Sequence, residues 1–309
     1  MNASKKIVLI SGSNGLLGQK LSSVYLKTET ERVKFFASSR GAIRNPTLPD
    51  AHYIEMDICN PKQIEEVFAK IQPDCLIHTA ALTHVDECEN NKTLCDQLNI
   101  EAVANLLAVA ARYNTHFIHL STDFIFDGLN GPYHEEAEAN PVSHYGWSKL
   151  KSEALVKQYP ANWSIIRTIL VYGIAADMSR SNIVLWAKKA LQSGETLSVV
   201  DDQFRTPTLA EDLAMGCLLC EQKEAGGVFN ISGKDGMTIL ELVKRVADYF
   251  QLDKSHIKPV SSSTLNQAAK RPVKTGFILD KAMEVLGYNP HTFEEGIAIL
   301  EAQIQNRDE

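Results

Sequence analysis

A strand that runs straight into three spaced glycines, and then into a helix, leaves a chain few architectures to choose from. Lys6 to Ser11 is mostly apolar, Gly12-Ser13-Asn14-Gly15-Leu16-Leu17-Gly18 spells GxxGxxG, and Leu16 to Lys27 carries a helical pattern. Glycines let a backbone turn tightly and approach a pyrophosphate. The first turn of a helix offers unpaired N–H groups and a partial positive charge. In this context Gly12, Asn14, Gly15, Leu16, Leu17 and Gly18 read as a dinucleotide cradle. The competing reading is a tight turn that packs helix on strand.

The pattern continues downstream. Val33–Ala37, His52–Met56, Cys75–Thr79, His116–Ser121 and Ser164–Val171 read as strands. Pro61–Lys70, Leu94–Tyr113 and Tyr145–Gln158 read as helices between them. Such alternation predicts an α/β fold: a doubly wound parallel sheet of the Rossmann type, covered on both faces. It occupies residues 1–172, and the chain returns to it near 208–232. Residues 173–309 mainly form a smaller C-terminal α+β substrate domain, with helices at Asn182–Gln192, Leu209–Glu221, Ile239–Phe250 and Phe293–Gln303.

Bulk properties narrow the function. A net charge of −7 disfavours a general nucleic-acid or anionic-membrane binder. No apolar run is read as long enough to span a bilayer. Met1-Asn2-Ala3-Ser4-Lys5-Lys6 precedes an apolar stretch too short for a signal-peptide core, so a cytoplasmic protein is expected. Six cysteines are scattered, and the Cys217–Cys220 pair lies in a helical pattern with no second pair, so buried reduced thiols are expected and no metal site. The histidines show no ligand spacing, and His144 is read as a residue of a helix start. Glu135, Glu136 and Glu138 read as a solvated acidic loop, and Trp186 as a core residue.

The strand Val33–Ala37 ends in Ser38-Ser39-Arg40, where an acid would hold the ribose diol of NAD. Arg40 suits a 2′-phosphate instead, with Ser38 and Ser39 supplying hydroxyls, so NADP(H) is preferred and NAD(H) stays open. Asp57, with Ile58 after it, is placed to meet adenine or to cap the helix near Pro61. Ala80 and Ala81 are small enough to lie against a cofactor. Tyr145-Gly146-Trp147-Ser148-Lys149 is a YxxxK whose ends share a helix face. A neighbouring ammonium lowers a phenol's pKa, so Tyr145 can give a proton to a carbonyl as hydride arrives. Lys149 can also hold the nicotinamide ribose. Ser121-Thr122-Asp123 ends a strand, where open α/β sheets place ligand-binding groups.

GxxGxxG, a strand-end Ser-Thr-Asp and YxxxK, in that order, resemble extended short-chain dehydrogenases/reductases, and more narrowly the dTDP-4-dehydrorhamnose reductase family. Ser121 to Gly128, Asn140-Pro141 and Tyr145 to Lys149 are similar to its STDYVFDG…NP…YGxSK pattern. His78 to Asp86 resembles its NAAAYTxVD stretch, Asn99 its VN position, Val199 to Thr208 its VxDQxGSPT loop, and Arg271-Pro272 a late RP motif. The resemblance implies reduction of a nucleotide-diphosphate 4-keto sugar. Thr122 would orient the keto oxygen, Tyr145 would protonate it, and Lys149 would tune Tyr145. Thr83, Val85 and Asp123 would lie near the sugar. Arg205 and Arg271 are candidate diphosphate cations, and a homodimer is compatible with the reading. Leu170 stands where the family usually has tryptophan, which puts the nucleotide preference in doubt. Other nucleotide-sugar epimerases or dehydratases are the alternative. So is a non-catalytic dinucleotide-binding subunit, because the regulatory β subunit of methionine adenosyltransferase resembles this family.

Overall fold

The computed structural model describes residues 5–28, 33–177 and 182–308; Met1 to Ser4, which precede the first apolar stretch, lie outside them. Along the chain run β1 (Lys6–Ser11), β2 (Val33–Ser39), β3 (Tyr53–Glu55), β4 (Cys75–His78), β5 (His116–Thr122) and β6 (Trp163–Thr168). The short β7 (Val171–Tyr172), β8 (Leu197–Val200), β9 (Phe204–Arg205) and β10 (Thr208–Leu209) follow. Last come β11 (Gly227–Asn230), β12 (Met237–Thr238) and β13 (Ile257–Val260). The helices are α1 (Leu16–Thr28), α2 (Pro61–Ile71), α3 (Val85–Asn90), α4 (Lys92–Asp96), α5 (Ala102–Arg112), α6 (His144–Lys157), α7 (Ile183–Gln192), α8 (Ala210–Gln222), α9 (Ile239–Tyr249) and α10 (Phe293–Asp308).

Successive strand residues face opposite sides of a sheet, so apolar residues at every position demand cover on both. Along β1, Val8 and Ile10 join one core with Leu21, Tyr25, Leu213 and Cys217, under α1 and α8. Leu9 joins the other with Ile64, Phe68 and Leu106, under α2 and α5. Seven parallel strands make the sheet, in the order β11-β6-β5-β4-β1-β2-β3. The winding reverses between β1 and β4, and such a switch point opens a crevice at the carboxyl ends of the strands. The chain returns to the sheet through α8 and β11. A third apolar cluster gathers Tyr172, Val184, Leu197, Leu242, Val246, Ile297 and Leu300 from the C-terminal region.

Several elements differ from expectation. The predicted strand Ser164–Val171 stops at Thr168, because Leu170 takes a positive φ of 40° and turns the chain out of the sheet. There the Thr208 hydroxyl donates to the Ile169 carbonyl at 2.6 Å, and β10 pairs with β7. Leu170 is partly buried and packs against two of the apolar clusters. Lys92 to Arg112 forms one rod with a π turn at Gln97–Glu101, and by length and composition it could cross a membrane. That corrects the statement that no run is long enough. Its inner face instead lies in the layer against the sheet, through Val103, Leu106 and Ala110. Trp186 is 40% exposed, since α7 turns Val184, Ala187, Ala190 and Leu191 inward.

The acidic loop is also not wholly solvated. Glu135 is buried and its carboxylate accepts from the Asn230 backbone N–H at 2.9 Å. Its carbonyl accepts from Arg167 Nη1 at 2.8 Å. The rest of the Arg167 fork meets Glu153 of α6, Nε to Oε1 at 2.9 Å and Nη2 to Oε2 at 2.8 Å. The Ser121 hydroxyl donates to the same carboxylate at 2.6 Å. Burial alone would raise the Glu153 carboxyl, yet Arg167 and Ser121 together hold it below the usual range. Removing one member of a buried, hydrogen-bonded ion pair leaves an uncompensated charge, which costs about 3–5 kcal/mol. Arg167→Met is therefore expected to lower the unfolding free energy, measured by urea denaturation, by that amount. Arg112→Met, at an exposed pair with Glu65, is expected to move it by less than about 1 kcal/mol.

Candidate active site

The cradle is built by close approach. Gly12 has φ +79°, and a Cβ there would come within 2.6 Å of the Ala80 nitrogen, so β1 and β4 can sit side by side only without one. A Cβ on Gly18 would land on the Gly12 carbonyl and Ser13 Cα, which seats α1 directly on the loop. Ser13 N donates to the Ser38 carbonyl at 3.0 Å. Asn14 N donates to Ser39 Oγ at 2.9 Å, and Ser39 Oγ also meets Ser13 Oγ at 3.1 Å. A backbone cradle that only glycine permits, at a helix N-terminus over a switch point, fits a dinucleotide pyrophosphate.

The far end of the cradle differs from expectation. Ser38 and Ser39 do not offer free hydroxyls to a phosphate: Ser38 is fully buried and Ser39 braces the glycine loop. Arg40 is exposed, and its charge reaches the Cys59 thiol beside Asp57. Arg44, which the motif reading missed, is brought to the same loop by its backbone N–H donating to Asn14 Oδ1 at 2.9 Å. Asp57 accepts from the Cys59 N–H at 2.9 Å; Asn60, not Asp57, caps α2. Ile58 is buried in the apolar cluster under α2, while Ala80 and Ala81 remain partly accessible.

The predicted chemical groups converge at the carboxyl end of β5 and the start of α6. Ser143 caps α6, with its hydroxyl accepting from Gly146 N, and His144 opens the helix as expected. Tyr145 is buried and lies edge-on to Phe124. Burial pushes its phenol well above its ordinary value; hydrogen bonding with Thr122 opposes this, and Asp123, Cys88 and Cys95 add to it. The expected lowering by Lys149 is thus not what this arrangement produces. The lysine turns instead to β5, with Nζ 3.1 Å from His119 Nε2. Burial draws its ammonium down to about 8, with Glu153 and Cys95 acting the other way. An ammonium has three N–H donors. Only one has a protein acceptor among the described residues, which fits a group meant to meet a ribose diol.

The residues expected near a sugar differ more. Thr83 is exposed and Val85 half-buried at the start of α3. Asn99 holds that loop against α6: its Oδ1 accepts from Leu82 N at 2.8 Å and its Nδ2 donates to Ser148 Oγ at 3.0 Å. Asp123 is buried and accepts from Thr122 Oγ1 at 3.1 Å and Thr275 Oγ1 at 2.5 Å. Arg205 is not a free cation. Its fork donates to the carbonyls of Phe204, Pro272 and Val273, and Nε lies 3.8 Å from Asp123. Arg271 is not free either, pairing with both carboxylate oxygens of Asp86 at 2.7 and 3.2 Å. Both contacts cross between sequence-distant segments, so the motifs alone could not show them. Lys274, over the Phe204 ring at 5.5 Å, has no ion-pair partner among the described residues.

Beside Tyr145 the fold also assembles a group that spacing hid: Cys95, Asp96 and His144 bring potential metal-ligand atoms within 4.8 Å of one another. His144 Nε2 lies 2.8 Å from Asp96 Oδ1, and hydrogen bonding with Cys88 draws the Cys95 thiol down to about 7.

The model of the RmlD substrate binding domain family matches residues 5–305. The chain belongs to the RmlD family of extended short-chain dehydrogenases/reductases. Among curated relatives, methionine adenosyltransferase 2 subunit beta of Bos taurus is 29% identical over 96% of this chain and 87% of that protein. A probable low-salt glycan biosynthesis reductase of Haloferax volcanii is 30% identical over 95% and 96%. A dTDP-4-dehydrorhamnose reductase from Bacillus anthracis, solved with NADP, superposes with TM-score 0.82 at 25% identity, covering 97% of this chain and 99% of that one. A Clostridium acetobutylicum ortholog of that reductase gives 0.83 at 26%, with the same coverage. In this RmlD-family chain the two arginines offered as substrate cations are therefore expected to behave differently. Arg205→Met should cost about 3–5 kcal/mol in chemical denaturation by leaving Asp123 buried and unpaired. Arg271→Met, at a partly exposed pair, should cost no more than about 1 kcal/mol.

Proposed function

We propose that this chain is an NADPH-dependent reductase of a nucleotide-diphosphate 4-keto-6-deoxysugar, most like dTDP-4-dehydrorhamnose reductase, acting in carbohydrate biosynthesis. The observation that carries it is the buried Thr122–Tyr145 pair at the same carboxyl edge of the sheet as the Gly12 cradle. The bound nicotinamide would supply a hydride to the keto carbon. Tyr145 Oη gives its proton to the keto oxygen, and a phenol held above its ordinary value stays protonated until charge develops there. Thr122 orients that oxygen by turning its hydroxyl from Asp123. Lys149 holds the ribose with its remaining N–H donors. Gly12, Gly15 and the first turn of α1 receive the pyrophosphate. Arg40 and Arg44 favour a 2′-phosphate, and no acid stands at the end of β2. Lys274 takes the diphosphate role that Arg205 and Arg271 do not fill.

The likeness to methionine adenosyltransferase 2 subunit beta favours a second reading, a dinucleotide-binding subunit without turnover. The two separate in one assay: oxidation of NADPH with dTDP-4-keto-6-deoxysugar, followed at the reduced nicotinamide absorbance. Turnover is expected, and Tyr145→Phe should reduce kcat by about 10²-fold or more while NADPH still binds. Cofactor binding without oxidation of NADPH would overturn the reductase reading. Arg40→Ala should weaken NADPH by about tenfold and leave NADH nearly unchanged, because only the former carries the extra phosphate. Equal losses would remove the case for NADP(H).

A further inference from the structure

The sheet register sets a row of polar side chains across the switch point. Ser11 of β1 pairs with His78 of β4, and His78 pairs with His119 of β5. They lie on the α6 side, where Leu9, Leu76 and Phe117 precede them in the apolar cluster. Ser11 Oγ is 2.7 Å from His78 Nδ1. The two imidazoles stack at 5.6 Å, and both are essentially excluded from solvent. His119 Nε2 then meets Lys149 Nζ at 3.1 Å and Ser152 Oγ at 3.0 Å. The row therefore ends on the amine of the YxxxK motif.

Imidazole chemistry decides what this contact does. Burial pulls His78 down to about 3 and His119 well below its ordinary value, so both rings are neutral. A neutral imidazole has one lone pair and one N–H. The Ser152 hydroxyl, 3.0 Å from Nε2, gives its proton to the Lys149 carbonyl at 2.8 Å. An ammonium can only donate, so its 3.1 Å contact with His119 Nε2 uses the lone pair of that nitrogen. The ring proton then sits on Nδ1, which has no hydrogen-bond partner among the described residues. A buried unpaired donor costs about 1–3 kcal/mol, so a sequence that keeps it gains something elsewhere. Apolar side chains would fill the same space without that cost.

We propose that His119 is a positioning residue for Lys149, holding its amine through Nε2 so that the remaining N–H donors meet the nicotinamide ribose, with the stacked His78 ring behind it. This rests on the reductase reading for its catalytic consequence, but the hold on the lysine stands on the geometry alone. The groups facing Lys149 are His119 and His78 from the sheet, Glu153 on its own helix and Cys95 from α4. Losing the His119 acceptor removes a hydrogen bond made to the charged amine. The lysine must therefore deprotonate at lower pH in its absence.

The test compares His119→Phe, which keeps a ring and removes both nitrogens, with His119→Gln, which restores an acceptor. Three quantities are measured: thermal unfolding, NADPH affinity by fluorescence titration from pH 6 to 10, and kcat and KM for the keto sugar. Wild-type affinity should fall as pH rises through the lysine value near 8. In His119→Phe that midpoint should move down by about one pH unit, and kcat should fall about 10–100-fold with sugar KM within threefold. His119→Gln should recover most of both. An unchanged midpoint in a folded His119→Phe protein overturns the proposal, whatever the turnover. A shifted midpoint in a protein that reduces no keto sugar supports it and sinks the reductase reading. Absence of NADPH binding in the wild type overturns both. If His119→Phe fails to fold, His119→Leu replaces it with the same expected shift.

Discussion

The buried Glu153–Arg167 pair is the contact on which the site depends. It joins the helix carrying Tyr145 and Lys149 to β6, and through Ser121 to the strand carrying Thr122. Apolar packing alone would hold α6 on the sheet but would tolerate a small slide along it. A bidentate guanidinium–carboxylate pair has fixed geometry and tolerates little. Glu153 lies one turn beyond Lys149, so fixing Glu153 fixes the rotation of the two residues that matter. The same guanidinium reaches the Glu135 carbonyl, and Glu135 in turn accepts from Asn230 on β11. The late return of the chain to the sheet is thereby tied to the site's alignment.

A second constraint acts at the other end of the crevice. Gly12 and Gly18 let α1, β1 and β4 approach more closely than any side chain would allow. Between these two fixed regions lies the row Ser11, His78 and His119. One region holds the glycine turn at the end of β1, the other a phenol at the start of α6, with β4 and β5 between. Both ends are defined by backbone or by charge-assisted hydrogen bonds. The polar row can therefore remain neutral and unsolvated without loosening the site.

What could be read in advance followed sequence distance. The glycine loop, α6 and the strand-end Ser121-Thr122-Asp123 are local patterns, and the structure places them as their spacing demands. Residues whose role depends on a distant partner were not legible. Arg205 looks like a cation in a loop until the carbonyls of Pro272 and Val273 surround it. Arg271 looks free until Asp86 meets it from α3. Leu170 sits in an apolar run that reads as strand, but Thr208 captures the neighbouring carbonyl and bends the chain away. Lys149 stands out as a motif residue, yet its partner lies thirty positions upstream on another element.

That last case bears on how a YxxxK motif should be interpreted. Spacing places phenol and amine on one helix face, which suggests that the amine acts on the phenol directly. Here burial raises the phenol, and the hydrogen bonding that opposes it is with Thr122 rather than with the lysine. The amine is itself buried, its ammonium is drawn down, and its protein contact is an imidazole. The helix therefore sets where the two groups emerge, and the sheet sets what each one does. A tyrosine kept protonated by burial still carries its proton when negative charge develops beside it, because an alkoxide is far more basic than a phenolate.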